Sequence, residues 1–185
     1  MNRKSNQSST GHSPTVELST LARVKHLIQQ KKYALAIDQL HPAGHDVVLK
    51  NAKGVCLLRL GHYAAAVNLY RELVFKPGCV WVRPDVPTVY KVNFATALLL
   101  AGNLEGGTSI LGQAMDENHP GVKRLRACIG QWKRRFSFWQ RLVWMCGYGD
   151  EAQAVVPLDF ELGLFEDGVI EEFVTVPAPG HRPAA

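Results

Sequence analysis

Apolar side chains recur three and four positions apart from about residue 16 to about residue 146, as on one face of an α-helix. Alternation with a period of two, which would indicate β-strands, is scarce in this span. Turn-forming residues divide the pattern at short intervals, and one longer break contains three prolines and a glycine. The pattern therefore predicts an all-α protein. The short breaks are His41–Gly44, Gly61-His62, Gly102-Asn103 and His119-Pro120, and the long break is Lys76–Pro87.

One set of spacings occurs three times within the helical span. Small residues are expected where two antiparallel helices approach closely, and large residues fill the space between them. Gly61 and Gly102 are expected to end a helix in a left-handed turn, which glycine adopts at low cost. The copies are Gly54, Leu57, Gly61, Tyr63, Ala66, Tyr70 and Leu73; Ala95, Leu98, Gly102, Leu104, Gly107, Leu111 and Ala114; and Val24, Leu27, Lys31, Tyr33, Ala36, Leu40 and Ala43.

This repeated pattern resembles the tetratricopeptide repeat (TPR), and the resemblance covers about Leu18 to Pro120. It implies a right-handed TPR-like solenoid of about three helical hairpins, in which each hairpin contacts its neighbours. The family has a large apolar residue where Lys50 and Lys91 stand, so these two positions are expected not to be buried. The three hairpins are predicted at roughly Leu18–His41, Val47–Lys76 and Thr88–Asn118.

A further apolar stripe follows Pro120 and predicts a long C-terminal capping helix of about 25 residues. Such a helix covers the last repeat, as solenoids require. Ser137–Gln140 has the spacing of a capping box, so a second helix starting there is the alternative. The stripe consists of Val122, Leu125, Ile129, Trp132, Phe136, Trp139, Val143 and Cys146.

The polar side of the same helix is strongly basic, and no acidic residue occurs between Asn118 and Gly149. A solvated helix face is one interpretation, and a docking surface for an acidic segment is another. Nucleic acid and an anionic membrane surface are further alternatives, although a basic helix alone is weak support for either. The basic face comprises Lys123, Arg124, Arg126, Lys133, Arg134, Arg135 and Arg141.

Charge divides the chain into three parts. Residues 1–15 are polar and predicted to be disordered, and residues 16–146 are predicted to be the TPR-like helical domain. Up to Cys146 there are 20 Lys and Arg against eight Asp and Glu, a net charge of +12, whereas the rest carries one Arg against eight acids, a net charge of −7. Residues 147–185 are therefore predicted to be an acidic tail that docks partly on the body, with Ala152–Phe173 anchored by large apolar side chains.

No motif for catalysis, phosphate binding or metal binding is found, so the protein is predicted not to be an enzyme and to need no cofactor, metal or small-molecule substrate. The four cysteines form no C-x-x-C pair, and the first residues lack the apolar core of a signal peptide. Reduced thiols and this N-terminus predict a cytoplasmic protein.

The resemblance implies a protein–protein interaction module, a scaffold or adaptor that binds a peptide or helix of another protein in a concave groove. The alternative is a basic surface adaptor for nucleic acid or anionic membrane. Trp81, in the long break, is expected either to fold over the groove edge or to pack against the first helix of the third repeat. Transferred from the family pattern, the groove residues are Asn51, Val55, Leu58, Arg59, Val92, Asn93, Thr96 and Leu99.

Overall fold

A computed structural model describes residues 14–40, 46–79, 81–114, 116–135 and 155–165, with side chains from residue 20 onward. These residues form seven α-helices and no strand longer than an isolated bridge, so the predicted all-α class is confirmed for the part described. The first helix begins at Pro14, slightly before the predicted start. The helices are α1 (Pro14–Gln29), α2 (Tyr33–Gln39), α3 (Val47–Arg59), α4 (Tyr63–Val74), α5 (Thr88–Leu100), α6 (Leu104–Gly112) and α7 (Pro120–Arg134).

The helices pack in sequential pairs, α1 with α2, α3 with α4 and α5 with α6. Helix α2 also contacts α3, and α4 contacts α5, so that each pair is joined to the next. The odd-numbered helices form a row, because α1 contacts α3, α3 contacts α5 and α5 contacts α7. Residues 155–165 are not helical, and they lie against this row.

The first helix of each pair ends in the same hydrogen-bonded turn. The residue after the helix cap has a positive φ in all three copies: Lys31 at 59°, Gly61 at 79° and Gly102 at 82°. In each copy the next N–H donates back to the carbonyl five residues earlier, at 2.9, 2.9 and 2.8 Å. This is the Schellman arrangement. The left-handed turns predicted at Gly61 and Gly102 are therefore confirmed, and Lys31 adopts the same turn without a glycine.

Glycines bring the two helices of a pair together. A Cβ placed on Gly54 of α3 would lie 2.7 Å from Cε2 of Tyr70 in α4, within the ring itself. A Cβ on Gly107 of α6 would lie 2.8 Å from Leu99 and 3.2 Å from the Ala95 carbonyl oxygen in α5. Gly107 thus serves the contact within its own pair of helices.

Helix α5 occupies the centre of the described structure and is buried on all sides from Val89 to Leu99. It contacts α3, α4, α6 and α7, so it has no face left for solvent. Lys91 is consequently only 2% exposed, and the prediction that it would not be buried is wrong. Its aliphatic stem can pack among apolar neighbours, as lysine stems commonly do. Lys50 of α3 is half-buried.

The long break between α4 and α5 is a loop whose two ends are joined by hydrogen bonds. An isolated antiparallel bridge joins Phe75 to Val82, and the Arg83 guanidinium donates to the Leu73 carbonyl oxygen at 2.7 Å. The ring that packs on α5 is Phe75, which meets Phe94 edge-on with centroids 5.5 Å apart. Trp81 is 74% exposed, so the predicted packing of its ring against the first helix of the third repeat does not occur.

Helix α7 ends at Arg134, with Arg135 as its C-terminal cap. It carries the predicted apolar stripe as far as Trp132, and the part of the stripe from residue 136 lies outside the described residues. Pro120 stands in the first turn, where its missing N–H costs no hydrogen bond. None of the seven described helices combines the length and apolar character needed to cross a membrane.

Candidate functional site

Residues 155–165, here called the docked segment, cross the row of odd-numbered helices. Asp159 and Phe160 contact α7, Glu161 to Leu164 contact α3 and α5, and Phe165 reaches α1. The segment thereby joins two hydrophobic clusters, because Val156 belongs to the core around α3 to α7 and Phe165 packs on the core around α1 and α2. It is the only described part of the acidic tail.

Two buried asparagines hold the backbone of the segment at Leu164. The Asn93 side chain accepts from the Leu164 N–H at 2.8 Å and donates to its carbonyl oxygen at 2.9 Å. The Asn51 amide donates to the same carbonyl oxygen at 3.1 Å. The Asn93 amide thus pairs with the N–H and the carbonyl of a single residue as a residue of a neighbouring β-strand would, and both backbone groups of Leu164 are satisfied.

Tyr70 orients Asn51 and Asn93 through hydrogen bonds within the core. The Asn51 Oδ1 accepts from the Asn93 amide at 2.9 Å and from the Tyr70 hydroxyl at 3.1 Å. Burial raises the pKa of Tyr70 well above its usual value of 10, so the hydroxyl stays protonated and remains a donor. We call Asn51, Asn93 and Tyr70 the amide site. Its members bond to one another as well as to the segment, and these bonds orient the remaining donors and acceptor of the two amides towards Leu164.

Removing the Tyr70 hydroxyl tests the amide site. Tyr70→Phe is expected to lower the free energy of unfolding by about 1 kcal/mol, since one buried hydrogen bond is lost and the ring is kept. Tyr63→Phe is the matched control, because Tyr63 is half-buried in the same helix, and it should change stability by less than about 0.5 kcal/mol. Urea unfolding followed by circular dichroism gives both values. Equal effects of the two changes would contradict the network.

Arg59, at the end of α3, binds the segment on the side towards its N-terminus. Its Nε donates to the Leu162 carbonyl oxygen at 2.8 Å, and its Nη1 lies 2.6 Å from the Glu161 carboxylate. The Arg59 side chain is 11% exposed, whereas that of Glu161 is 47% exposed. An ion pair this accessible to water contributes roughly 0–1 kcal/mol, so it favours an acidic residue without anchoring the segment. The Arg59 guanidinium also lies 5.8 Å from the centroid of the Tyr33 ring.

Two glycines allow the segment to approach the helices. Gly163 has a φ of 83°, and a Cβ on it would lie 2.8 Å from both γ-carbons of Val55. A Cβ on Gly121 of α7 would lie 2.7 Å from Leu164 and 2.9 Å from Val92. The side chain of Leu164 therefore occupies space that exists because residue 121 has no side chain.

Helix α7 contacts the segment through two further side chains. The Arg124 guanidinium lies 5.3 Å from the centroid of the Phe160 ring, and the Cys128 thiol donates to the Asp159 carboxylate at 3.5 Å. Burial, followed by the nearby Asp159 charge, raises the pKa of Cys128, so the protonated thiol is the form that makes this bond.

Apolar burial provides most of the attachment. Val156 is fully buried, and four other apolar residues of the segment are partly buried against the same core. Full burial of such a side chain is worth about 1.5–3 kcal/mol, which exceeds the contribution of the exposed ion pair. The partly buried residues are Leu158, Phe160, Leu162 and Leu164.

The residues predicted to line a groove separate into two groups. Asn51, Val55, Arg59 and Asn93 contact the docked segment, and Val92 lies beside Leu164. We call these five the α3–α5 face. The other three do not take part in the described contacts with the segment. Leu58 lies in the core, Thr96 donates to the Val92 carbonyl oxygen of its own helix, and Leu99 packs against Gly107 of α6.

The predicted basic face is only partly used. Arg124 stacks on Phe160, and Arg126 pairs with Glu117 at 3.2 Å, while the remaining described members are exposed. Arg141 lies outside the described residues. The exposed members are Lys123, Lys133, Arg134 and Arg135.

Several contacts of the segment were not predicted from the sequence. Lys25 of α1 lies 5.6 Å from the centroid of the Phe165 ring, and the Cys128 thiol donates to Asp159. Gly121 and Gly163 act through the side chain they lack. No signal in the sequence marks such a role, because it depends on which distant atom approaches the glycine.

Thiol reactivity offers an independent check of the packing around α3. Burial raises the pKa of Cys56 to about 11, so about one thiol in a thousand is ionised at pH 8. Cys56 and Cys128 are buried and Cys79 is exposed. Iodoacetamide at pH 8 is therefore expected to modify Cys79 at least about tenfold faster than Cys56, as read by peptide mass mapping. Labelling in urea, where the rates should converge, is the control; equal rates in the native protein would contradict the burial of Cys56.

No group of three His, Cys, Asp or Glu side chains that could hold a metal ion occurs within the described part of the chain. Comparison with known proteins yields no matching family model and no curated protein or solved structure of significant similarity.

Proposed function

We propose that this chain is a protein–protein interaction module of the TPR type, a right-handed solenoid whose α3–α5 face binds an extended segment of a partner protein. The observation that carries the proposal is the amide site, which bonds to both the N–H and the carbonyl group of one residue of a non-helical segment. Recognition through the main chain accepts segments of other proteins as readily as the chain's own.

The repeated architecture supports the same proposal. Helices α1, α3 and α5 end in the same hydrogen-bonded turn, and the odd-numbered helices form a continuous row against which the segment lies. In a solenoid, such a row forms an extended binding surface. The role is that of a cytoplasmic scaffold or adaptor without catalysis, and the docked segment occupies the site until a partner replaces it.

Full-length protein with Gly163→Val, a change that opposes docking of the segment, is the bait that tests this function. Compared with the wild type, it should capture additional proteins from extract, and an excess of a synthetic peptide of residues 155–165 should displace them. Leu164→Asp is a second bait with an unaltered body, in case valine impairs folding. If both baits capture the same proteins as the wild type, or if the peptide displaces none, the proposal fails.

The same capture separates the alternative function. Proteins or nucleic acid held by the exposed basic residues of α7 should resist the peptide and dissociate as salt is raised. Ligands bound at the amide site should show the opposite pattern, because apolar burial and buried hydrogen bonds are little affected by salt.

A further inference from the structure

The docked segment meets a different physical requirement at each of five positions, and these requirements define a sequence that a partner must carry. On the basis of the proposed function, we propose that the α3–α5 face selects partner segments with an acidic residue, an apolar residue partly buried as Leu162 is, glycine, leucine and an aromatic residue in succession. The chain's own copy is Glu161 to Phe165.

The main-chain bonds fix the register of a bound segment without reading its sequence. Asn93 and Asn51 contact only the backbone of Leu164, and Arg59 contacts the backbone of Leu162. These contacts would be available to any extended segment that fits. They set which residue stands opposite each side chain of the α3–α5 face, and selection then depends on those side chains.

Glycine is the most stringent position. Gly163 combines a φ of 83° with contact against Val55, where an added Cβ would come within 2.8 Å of both γ-carbons. The first condition disfavours every residue with a Cβ, and the second removes the space that an Asn or Asp would need in that conformation.

Leucine is required at the next position because its side chain fills a space bounded by Gly121 and Val92. The Leu164 side chain lies where Gly121 has no Cβ, next to Val92. A smaller side chain would leave this space unfilled, and a charged one would be placed among apolar atoms. The two end positions are selected by positive charges of the helices. Arg59 forms an ion pair with the acidic residue, and the Lys25 ammonium lies over the aromatic ring.

The chain's own copy competes with a partner for the face. A tethered segment acts at a high effective concentration, so it reduces the apparent affinity for any segment in solution. The motif in the chain's own tail therefore occupies the face, and a partner that displaces it is expected to carry the same motif. A partner must carry a better copy of the motif, or bind when the docked segment is displaced.

Fluorescence anisotropy with a labelled peptide of residues 155–165 tests the motif on full-length protein. The peptide should bind the Gly163→Val protein at least about tenfold more tightly than the wild type, whose own segment is docked. On the Gly163→Val protein, a peptide with Gly163→Ala should bind at least about tenfold more weakly. Peptides with Glu161→Lys or Leu164→Ala should each lose about fivefold to tenfold. Pro157→Ala, at an exposed position, is the matched control and should bind within about twofold of the original.

The outcomes separate this inference from the proposed function. If all five peptides bind the Gly163→Val protein equally and are displaced by one another, the face binds segments but the motif is wrong. If none binds while amide exchange shows that the docked segment is released, the proposed function fails as well. The Leu164→Asp protein repeats the series with the glycine of the tail intact, so that a folding defect caused by valine cannot produce either result.

Discussion

Gly163→Val is expected to release the docked segment and to lower amide protection at Leu164 by about a hundredfold, equivalent to about 3 kcal/mol. A φ of 83° costs a residue with a Cβ about 1–2 kcal/mol, and crowding against Val55 adds about 1–3 kcal/mol. The loss cannot exceed the free energy of docking, because the segment can leave the helices instead of straining them. Hydrogen exchange of the Leu164 N–H, which donates to Asn93 at 2.8 Å, measures the release directly.

Gly78→Val is the matched control for backbone strain. Gly78 has a φ of 75°, but no atom lies within 4 Å of an added Cβ, so only the conformational cost of about 1–2 kcal/mol applies. Protection at Leu164 should be unchanged in this variant. A double mutant that combines Gly163→Ala with Val55→Ala should recover part of the protection lost in Gly163→Ala alone, because the crowding is relieved. Unchanged protection in Gly163→Val would contradict the described docking.

Gly54→Ala is expected to lower the free energy of unfolding by about 2–3 kcal/mol, although alanine is the better helix former. The added methyl would overlap Cζ, Cε2 and the hydroxyl of Tyr70, and because Tyr70 is fully buried, its ring moves only at the cost of its packing and hydrogen bonds. A shift of the ring also withdraws the hydroxyl from Asn51. Amide protection at Leu164 should therefore fall together with global stability, measured by exchange and by urea unfolding.

Gly130→Ala makes the same chemical change in the opposite environment. Gly130 lies within α7, and no atom is found within 4 Å of an added Cβ. The substitution should raise the free energy of unfolding by about 0.5–1 kcal/mol, because only the helix propensity improves. If both alanine variants shift stability in the same direction, the close approach of α3 and α4 at Gly54 is wrong.

Helices and turns could be predicted because their signals are local. The starts of α3, α4 and α5 follow the predicted breaks, and the apolar spacing reports which side of each helix is buried. Gly61 and Gly102 identify two of the three left-handed turns, since glycine is favoured there. The third turn has Lys31, and only its backbone hydrogen bonds show that it is the same.

Burial of a whole helix could not be predicted from its own residues. Lys91 was expected to be accessible because a lysine usually is, but α5 is surrounded by four other helices and leaves it only 2% exposed. Trp81 is the converse case, since an aromatic residue expected to pack is 74% exposed on a short excursion of the chain. In both, the number of neighbours outweighs the preference of the side chain.

Local signals were enough to predict the helical class and the turns at Gly61 and Gly102, because periodicity and small residues act over one or two turns of the chain. The candidates Asn51, Asn93 and Arg59 came from the resemblance to the TPR pattern. Tertiary packing alone brings these side chains to the docked segment, where Asn51 and Asn93 bind Leu164, 113 and 71 residues away, and Arg59 binds Leu162. It also gives Gly163 and Gly121 their role, because the absence of a side chain affects packing only where other atoms approach the glycine. Side-chain atoms of Val55 approach Gly163, and those of Leu164 approach Gly121, and no local sequence pattern indicates either approach.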